Sequence, residues 1–172
     1  MIPSQHIITA LVYDKPGVLN RVASLFRRRG FNIASIAVGA SEVSDVSRMT
    51  IVVDGANTMV EQVRKQLDKV IDVIKVSDIT GDTTITRELA LMKVKSTPAT
   101  RSEIMQIVDI FRAKIVDVAV DSLTVEVTGD ELKVSSLYNL LKGFGIKEIS
   151  RTGIIGMTRG VTFAGDEDVN KE

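Results

Sequence analysis

Asp14 to Ile33, DKPGVLNRVASLFRRRGFNI, reads as a turn, a helix and a second turn. An apolar run, Ile7 to Val12, precedes it as a strand, and Pro16 and Gly17 punctuate the exit from that strand. Val18, Leu19, Val22, Leu25 and Phe26 recur at three- and four-residue intervals, with Asn20, Arg21, Arg27 and Arg28 mostly on the other side, so the stretch predicts an amphipathic helix lying on a sheet. Gly30 stops it and Asn32 opens the next apolar run. A strand feeding a helix feeding a strand leaves Asp14, Gly17 and Asn32, at neighbouring loops, as the free polar chemistry of the unit.

The pattern continues outward from this helix. Ile33 to Ser41 and Met49 to Val53 predict a hairpin around the polar turn Glu42 to Asp45. Asp54-Gly55-Ala56-Asn57 is turn chemistry; Val60, Val63, Leu67 and Val70 mark a second helical stripe; Asp72 breaks it; Val73 to Val76 is a fourth strand. Residues 6–78 therefore spell βαββαβ, whose simplest closure is a four-stranded antiparallel sheet with two helices on one face and the other face naked. After a polar linker at 80–86 the pattern restarts over 87–160. A strand at Leu89 to Val94 leads through Pro98 and Thr100 to a helix carrying Ile104, Ile107, Val108 and Phe111. A hairpin of Ile115 to Val120 and Leu123 to Val127 follows. Asp130 is placed to cap a last helix, Gly143 and Gly145 to end it, and Ile146 to Ile149 to close the sheet. In this register Phe111 to Val118 occupies the place that Arg28 to Ser35 holds in the first half. The expected architecture is α+β, two ferredoxin-like units. Arg151 to Gly160 is patterned but suggests no mechanism beyond a packed extension, and residues 161–172 are expected to be a disordered polar tail.

Composition narrows function. Lys plus Arg and Asp plus Glu number 22 each, which removes the general attraction expected of a chain that lives on nucleic acid or anionic lipid. Aromatic residues make up only 4%, too few to stack bases on the sheet. With no cysteine and a single histidine, His6, thiolate chemistry, disulfides and Ser–His nucleophiles lack their parts. No metal site is expected. The start of the chain lacks a basic leader with an apolar core, and no apolar run approaches membrane-spanning length, which predicts a cytoplasmic protein. Arg27, Arg28 and Arg29 could grip a phosphate, but three arginines in the last turn of a helix are better explained as complementing its dipole and its free carbonyls. The Asp14 to Gly17 turn serves equally as a good helix start or as a ligand site, where helix amides receive a carboxylate, Asp14 faces an ammonium and Asn32 both donates and accepts.

Asp14-Lys15-Pro16-Gly17-Val18-Leu19 ahead of Arg29-Gly30-Phe31-Asn32-Ile33 resembles the ligand-binding signature of ACT domains, amino-acid sensing modules. With Ser47-Arg48-Met49-Thr50, Val70-Ile71-Asp72-Val73, Arg151-Thr152-Gly153 and Thr158-Arg159-Gly160, the order and spacing resemble the small regulatory subunit of acetohydroxyacid (acetolactate) synthase. The resemblance runs from about Gln5 to Gly160. It implies an ACT domain at 1–79, a non-catalytic chain that activates the catalytic subunit, and feedback inhibition by a branched-chain amino acid, valine being the first candidate beside isoleucine and leucine. It implies Asp14, Gly17, Val18, Asn32 and Ile33 as ligand contacts, Asp14 standing where some members have Asn. It also implies a homodimer through the ACT domains, with the ligand held between two chains. No cofactor is expected on this chain: thiamine diphosphate, Mg and, as a further candidate, FAD belong to the catalytic partner. The alternative is a free-standing ACT-type sensor acting on another protein.

Overall fold

The computed structural model describes residues 5–55, 57–80 and 83–160, so the tail from 161 and part of the linker lie outside the described residues. The elements run β1 (Gln5–Tyr13), α1 (Val18–Arg29), β2 (Ile33–Ala40), β3 (Val46–Asp54), α2 (Asn57–Leu67) and β4 (Val73–Asp78). After these come β5 (Thr84–Lys95), α3 (Arg101–Ile110), β6 (Lys114–Val118), β7 (Ser122–Gly129), α4 (Glu131–Leu141), β8 (Ile146–Arg151) and β9 (Ile155–Thr158). Two βαββαβ units are present, as the periodicity predicts. The expected linker is shorter than 80–86, because β5 already begins at Thr84.

In the first unit the strands are ordered β2-β3-β1-β4, all pairs antiparallel. Ile8, Ala10 and Val12 of β1 and Met49, Ile51 and Val53 of β3 point to the helices, where Val18, Val22, Leu25 and Phe26 of α1 and Val60, Val63 and Leu67 of α2 complete one core. Leu19 is half exposed, since the buried stripe of α1 is set by 18, 22, 25 and 26. The opposite sheet face is not naked. Thr9, Leu11, Thr50 and Val52 on it are buried. The chain returns to that face after Gly153: the Ile154 amide donates to Ser35 Oγ (3.0 Å), β9 lies against β1, and the Arg159 amide donates to the Thr83 carbonyl (2.8 Å). The family-like pattern runs to Gly160, but in space the second unit spans Thr86–Gly153 and the segment from Ile154 belongs to the first.

The second unit repeats the topology as β6-β7-β5-β8 around its own core of Ala90, Met92, Val94, Val125, Ile104 and Leu137, among others. Asp130 caps α4 as expected, its Oδ1 accepting from the Lys133 amide at 2.8 Å. Arg151 acquires a role here. Its guanidinium pairs with both oxygens of Glu88, a buried carboxylate, with Nε at 3.0 Å from Oε2. Thr152 then exchanges hydrogen bonds with the Leu89 backbone, and Gly153, at φ 82°, turns the chain away.

The internal register differs by one residue from the sequence alignment. Gly30 (φ 68°) donates its amide to the Arg27 carbonyl and Phe31 to the Phe26 carbonyl, a Schellman ending closed by an edge-to-face contact of Phe26 and Phe31. Arg112 (φ 51°) donates to Asp109 and Ala113 to Val108 in the same way. Arg112 therefore corresponds to Gly30, and Lys114 to Asn32. The left-handed residue that ends a helix fixes this equivalence, and no rule of composition announces an arginine there.

Candidate functional site

Lys15 to Val18 form a type II turn: the Val18 amide donates to the Lys15 carbonyl (3.3 Å), Pro16 takes the second position, and Gly17 the third at φ 88°, ψ −7°. The Arg21 amide reaches the Gly17 carbonyl (3.0 Å), so α1 starts directly from the turn. No side chain caps this start, and its first turn holds no acid. Its outward amides are left for solvent or a ligand, with the positive end of the helix dipole behind them. The turn is anchored on both sides. The Asp14 amide donates to the Asp45 carbonyl (2.7 Å) and the Tyr13 amide to the Asp72 carbonyl (2.9 Å), while Lys15 Nζ lies 4.8 Å from the centre of the Tyr13 ring.

The sequence-predicted residues divide. Asp14, immediately before this turn, and Gly17, its third residue, are exposed. Val18 directs its side chain into the core, so at the turn it offers backbone alone. Ile33 packs half-buried against the same core at the start of β2. Asn32 is exposed but not at a neighbouring loop. Both Ile33 and His6 pair with Val53, whereas Tyr13 pairs with Val46 and Ala40 with Ser47. Asn32 thus belongs to the sheet end where β1 begins, and Gly17 to the end where β1 finishes. Seven residues of strand put roughly 20 Å between them within one chain.

Two residues of the site were not singled out from sequence. Arg21 Nε lies 2.9 Å from Asp72 Oδ2, a buried carboxylate whose backbone already holds Tyr13, so this pair ties α1 to the strand end that carries the turn. A lone Asp inside the apolar run Val70 to Ile74 was the available signal. Beside the turn, Leu19 and, on β2, Val38 are about half exposed apolar side chains.

The matching position of the second unit is closed. Ser96 donates to the Asp121 carbonyl as Asp14 does to Asp45, which places Pro98 with Pro16 and Ala99 with Gly17. There the Thr97 and Thr100 hydroxyls accept from each other's amides (3.3 and 3.0 Å), and Arg101 Nη2 is spent on the carbonyls of Ala119 and Val120 at 2.9 Å each. Lys114 stands in place of Asn32. Among the described residues no group of three or more His, Cys, Asp or Glu could hold a metal ion, and no helix is long and apolar enough to cross a membrane.

Comparison with known proteins gives one family model for each half of the chain. A family model described as the small subunit of acetolactate synthase matches residues 87–160, and one described as an AHAS small subunit-like ACT domain matches residues 8–75. A probable acetolactate synthase small subunit of Archaeoglobus fulgidus is 56% identical over 156 residues, 91% of this chain and 98% of that protein. The acetolactate synthase small subunit of Bacillus subtilis is 52% identical over 158 residues, 91% of each. The crystal structure of the small subunit from Thermotoga maritima superposes with a TM-score of 0.84 at 43% identity, covering 92% of this chain and 99% of that one. With its amino-terminal ACT domain and its second ferredoxin-like unit, the chain belongs to the family of acetolactate synthase small subunits, the non-catalytic subunits of that enzyme.

Proposed function

We propose that this chain works in the cytoplasm on a thiamine-diphosphate-dependent acetolactate synthase catalytic subunit, raising its activity and making it sensitive to feedback inhibition by a branched-chain amino acid, valine first. Thiamine diphosphate, Mg and, as a further candidate, FAD are assigned to the catalytic partner. The observation that carries the sensing reading is the open helix start at Gly17 combined with the character of β2. That strand is an edge of its sheet, and its eight residues, IASIAVGA, contain no charge and no proline. An edge of this kind is ordinarily protected from pairing, and β6 in the second unit is protected, by Lys114 and Asp117. The bare β2 edge supports pairing with β2 of a second copy. Antiparallel pairing about a two-fold axis carries Asn32 of the second copy towards the Gly17 end of the first, and the reverse.

In that arrangement the amides at the start of α1 receive the ligand carboxylate. Asn32 of the second copy both donates and accepts at the polar end, and Asp14 faces the ammonium. Leu19 and Val38 offer apolar surface to the side chain. An isopropyl group contributes about 1.5–2 kcal/mol on burial and each hydrogen bond to a charged end about 1.5–3 kcal/mol, enough for a metabolite sensor. A difference of about 1–3 kcal/mol in ligand affinity between two quaternary states shifts the partner several-fold or more.

The test is to mix the purified chain with its catalytic subunit. Acetolactate formation is expected to rise, and valine, isoleucine or leucine to lower it again. No effect of the chain on that enzyme would refute the reading.

A further inference from the structure

We propose that the outer face of α1, with the turn that follows α2, is a docking surface for an acidic, partly apolar segment of a protein; resting on the function proposed above, that protein is the catalytic subunit. A groove of about 600 Å³ runs along α1 between Arg21, Arg27 and Arg28 on the helix and Lys69 and Ile71 on the turn, and no carboxylate lines it. Arg28 also borders a second hollow with Arg29 and Gln66. In a chain of zero net charge, this is a local excess of cations.

Arg21 is neutralised by Asp72, and Arg64 and Lys65 on α2 are engaged by Glu61 and Asp68. Arg27, Arg28, Arg29 and Lys69 make no ion pair among the described residues. They are not needed to close the helix either, because the Gly30 and Phe31 amides already bind the carbonyls of Arg27 and Phe26. Three of them, Arg27, Arg28 and Lys69, line the groove without an ion pair among the described residues, and Ile71, an isoleucine 84% exposed, lines it with them.

The layout selects the occupant. The unpaired charges come from two elements, Arg27 and Arg28 from the last turn of α1 and Lys69 from the turn after α2, so they are spread along the groove; a single phosphate is held by donors that converge. Cations spread in this way with an apolar contact among them fit carboxylates spaced along a polypeptide that also presents an apolar side chain. Like charges opposite one another would reject other surfaces, so the groove supplies specificity and association rate as well as affinity.

The experiment compares wild type with the triple charge reversal R27E/R28E/K69E and with I71A. Binding to the purified acetolactate synthase catalytic subunit is measured by calorimetry at low and high salt, valine binding to each free chain is titrated alongside, and circular dichroism checks the fold. The expected result is wild-type affinity that falls with salt, a loss of at least about tenfold in the triple variant, a smaller loss in I71A, and unchanged valine binding in both. Wild-type affinity of the triple variant for the catalytic subunit overturns the docking surface while leaving the proposed function standing. Failure of the wild-type chain to bind that subunit overturns both. Inorganic triphosphate binding that the triple variant loses, with subunit affinity unchanged, reassigns the groove to a phosphate ligand and overturns the proposal.

Discussion

Gly17 and Asn32 stand at opposite ends of one four-stranded sheet, Gly17 after the last residue of β1 and Asn32 before the first residue of β2, with the two strands parallel on either side of β3. A ligand that uses both must bridge two copies. Each two-fold pair would then hold two equivalent sites, each with Gly17 from one chain and Asn32 from the other.

This relationship predicts complementation between defective chains. Gly17→Ala forces a side chain to adopt φ 88°, and Asn32→Ala removes one hydrogen bond to a charged end, so each homodimer should lose valine affinity by about tenfold or more while still activating the enzyme. Mixed dimers should regain one intact site. Valine inhibition curves of the mixture will show a sensitive fraction; mixtures as insensitive as either parent would place the site within one chain.

Gly30 and Arg112 end equivalent helices in the same left-handed conformation, and they predict effects of opposite sign. Gly30→Ala meets no atom within 4 Å, so its penalty is conformational, about 1 kcal/mol. Arg112→Gly relieves the same strain and should stabilise by about 0.5 kcal/mol after the added freedom of the unfolded chain is subtracted. Denaturant midpoints of the two variants, moving apart from wild type in opposite directions, are the measurement.

Arg151→Ala leaves the Glu88 carboxylate buried without its partner. The expected destabilisation is about 3 kcal/mol. Glu88→Gln in the Arg151→Ala background should recover part of it, since the buried group is then neutral, and a double-mutant cycle on thermal melts measures the coupling. Additive losses would show that the pair is not coupled.

Acid stability should depend on Glu61. The hydrogen bond from Arg64 holds its carboxyl down at about 2 from the usual 4.5, with burial opposing and the charges of Arg64 and Lys65 adding to the effect. A carboxyl whose folded pKa is depressed contributes stability above 4.5 and loses it as pH falls from there towards 2. Stability of the wild type should therefore fall more steeply with acid over that window than that of Glu61→Gln. Because the pair is exposed, 0.5 M salt should shrink the difference; equal slopes at low salt would remove the contribution.

Local chemistry in the sequence was enough for the repeated βαββαβ order, for the start and stop of α1 and for the Asp130 cap, because these rest on periodicity, on glycine where φ is positive and on side chains bonding to amides a few residues away. The turn at Gly17 belongs with them. What needed the tertiary structure was every relation set by strand register. Register placed Asn32 at the far end of the sheet, brought Asp72 to Arg21 and Glu88 to Arg151, and sent the chain after Gly153 back to the first unit. Each joins residues distant in the chain through backbone pairing, and a pairing can slide by one residue without changing the composition of either strand.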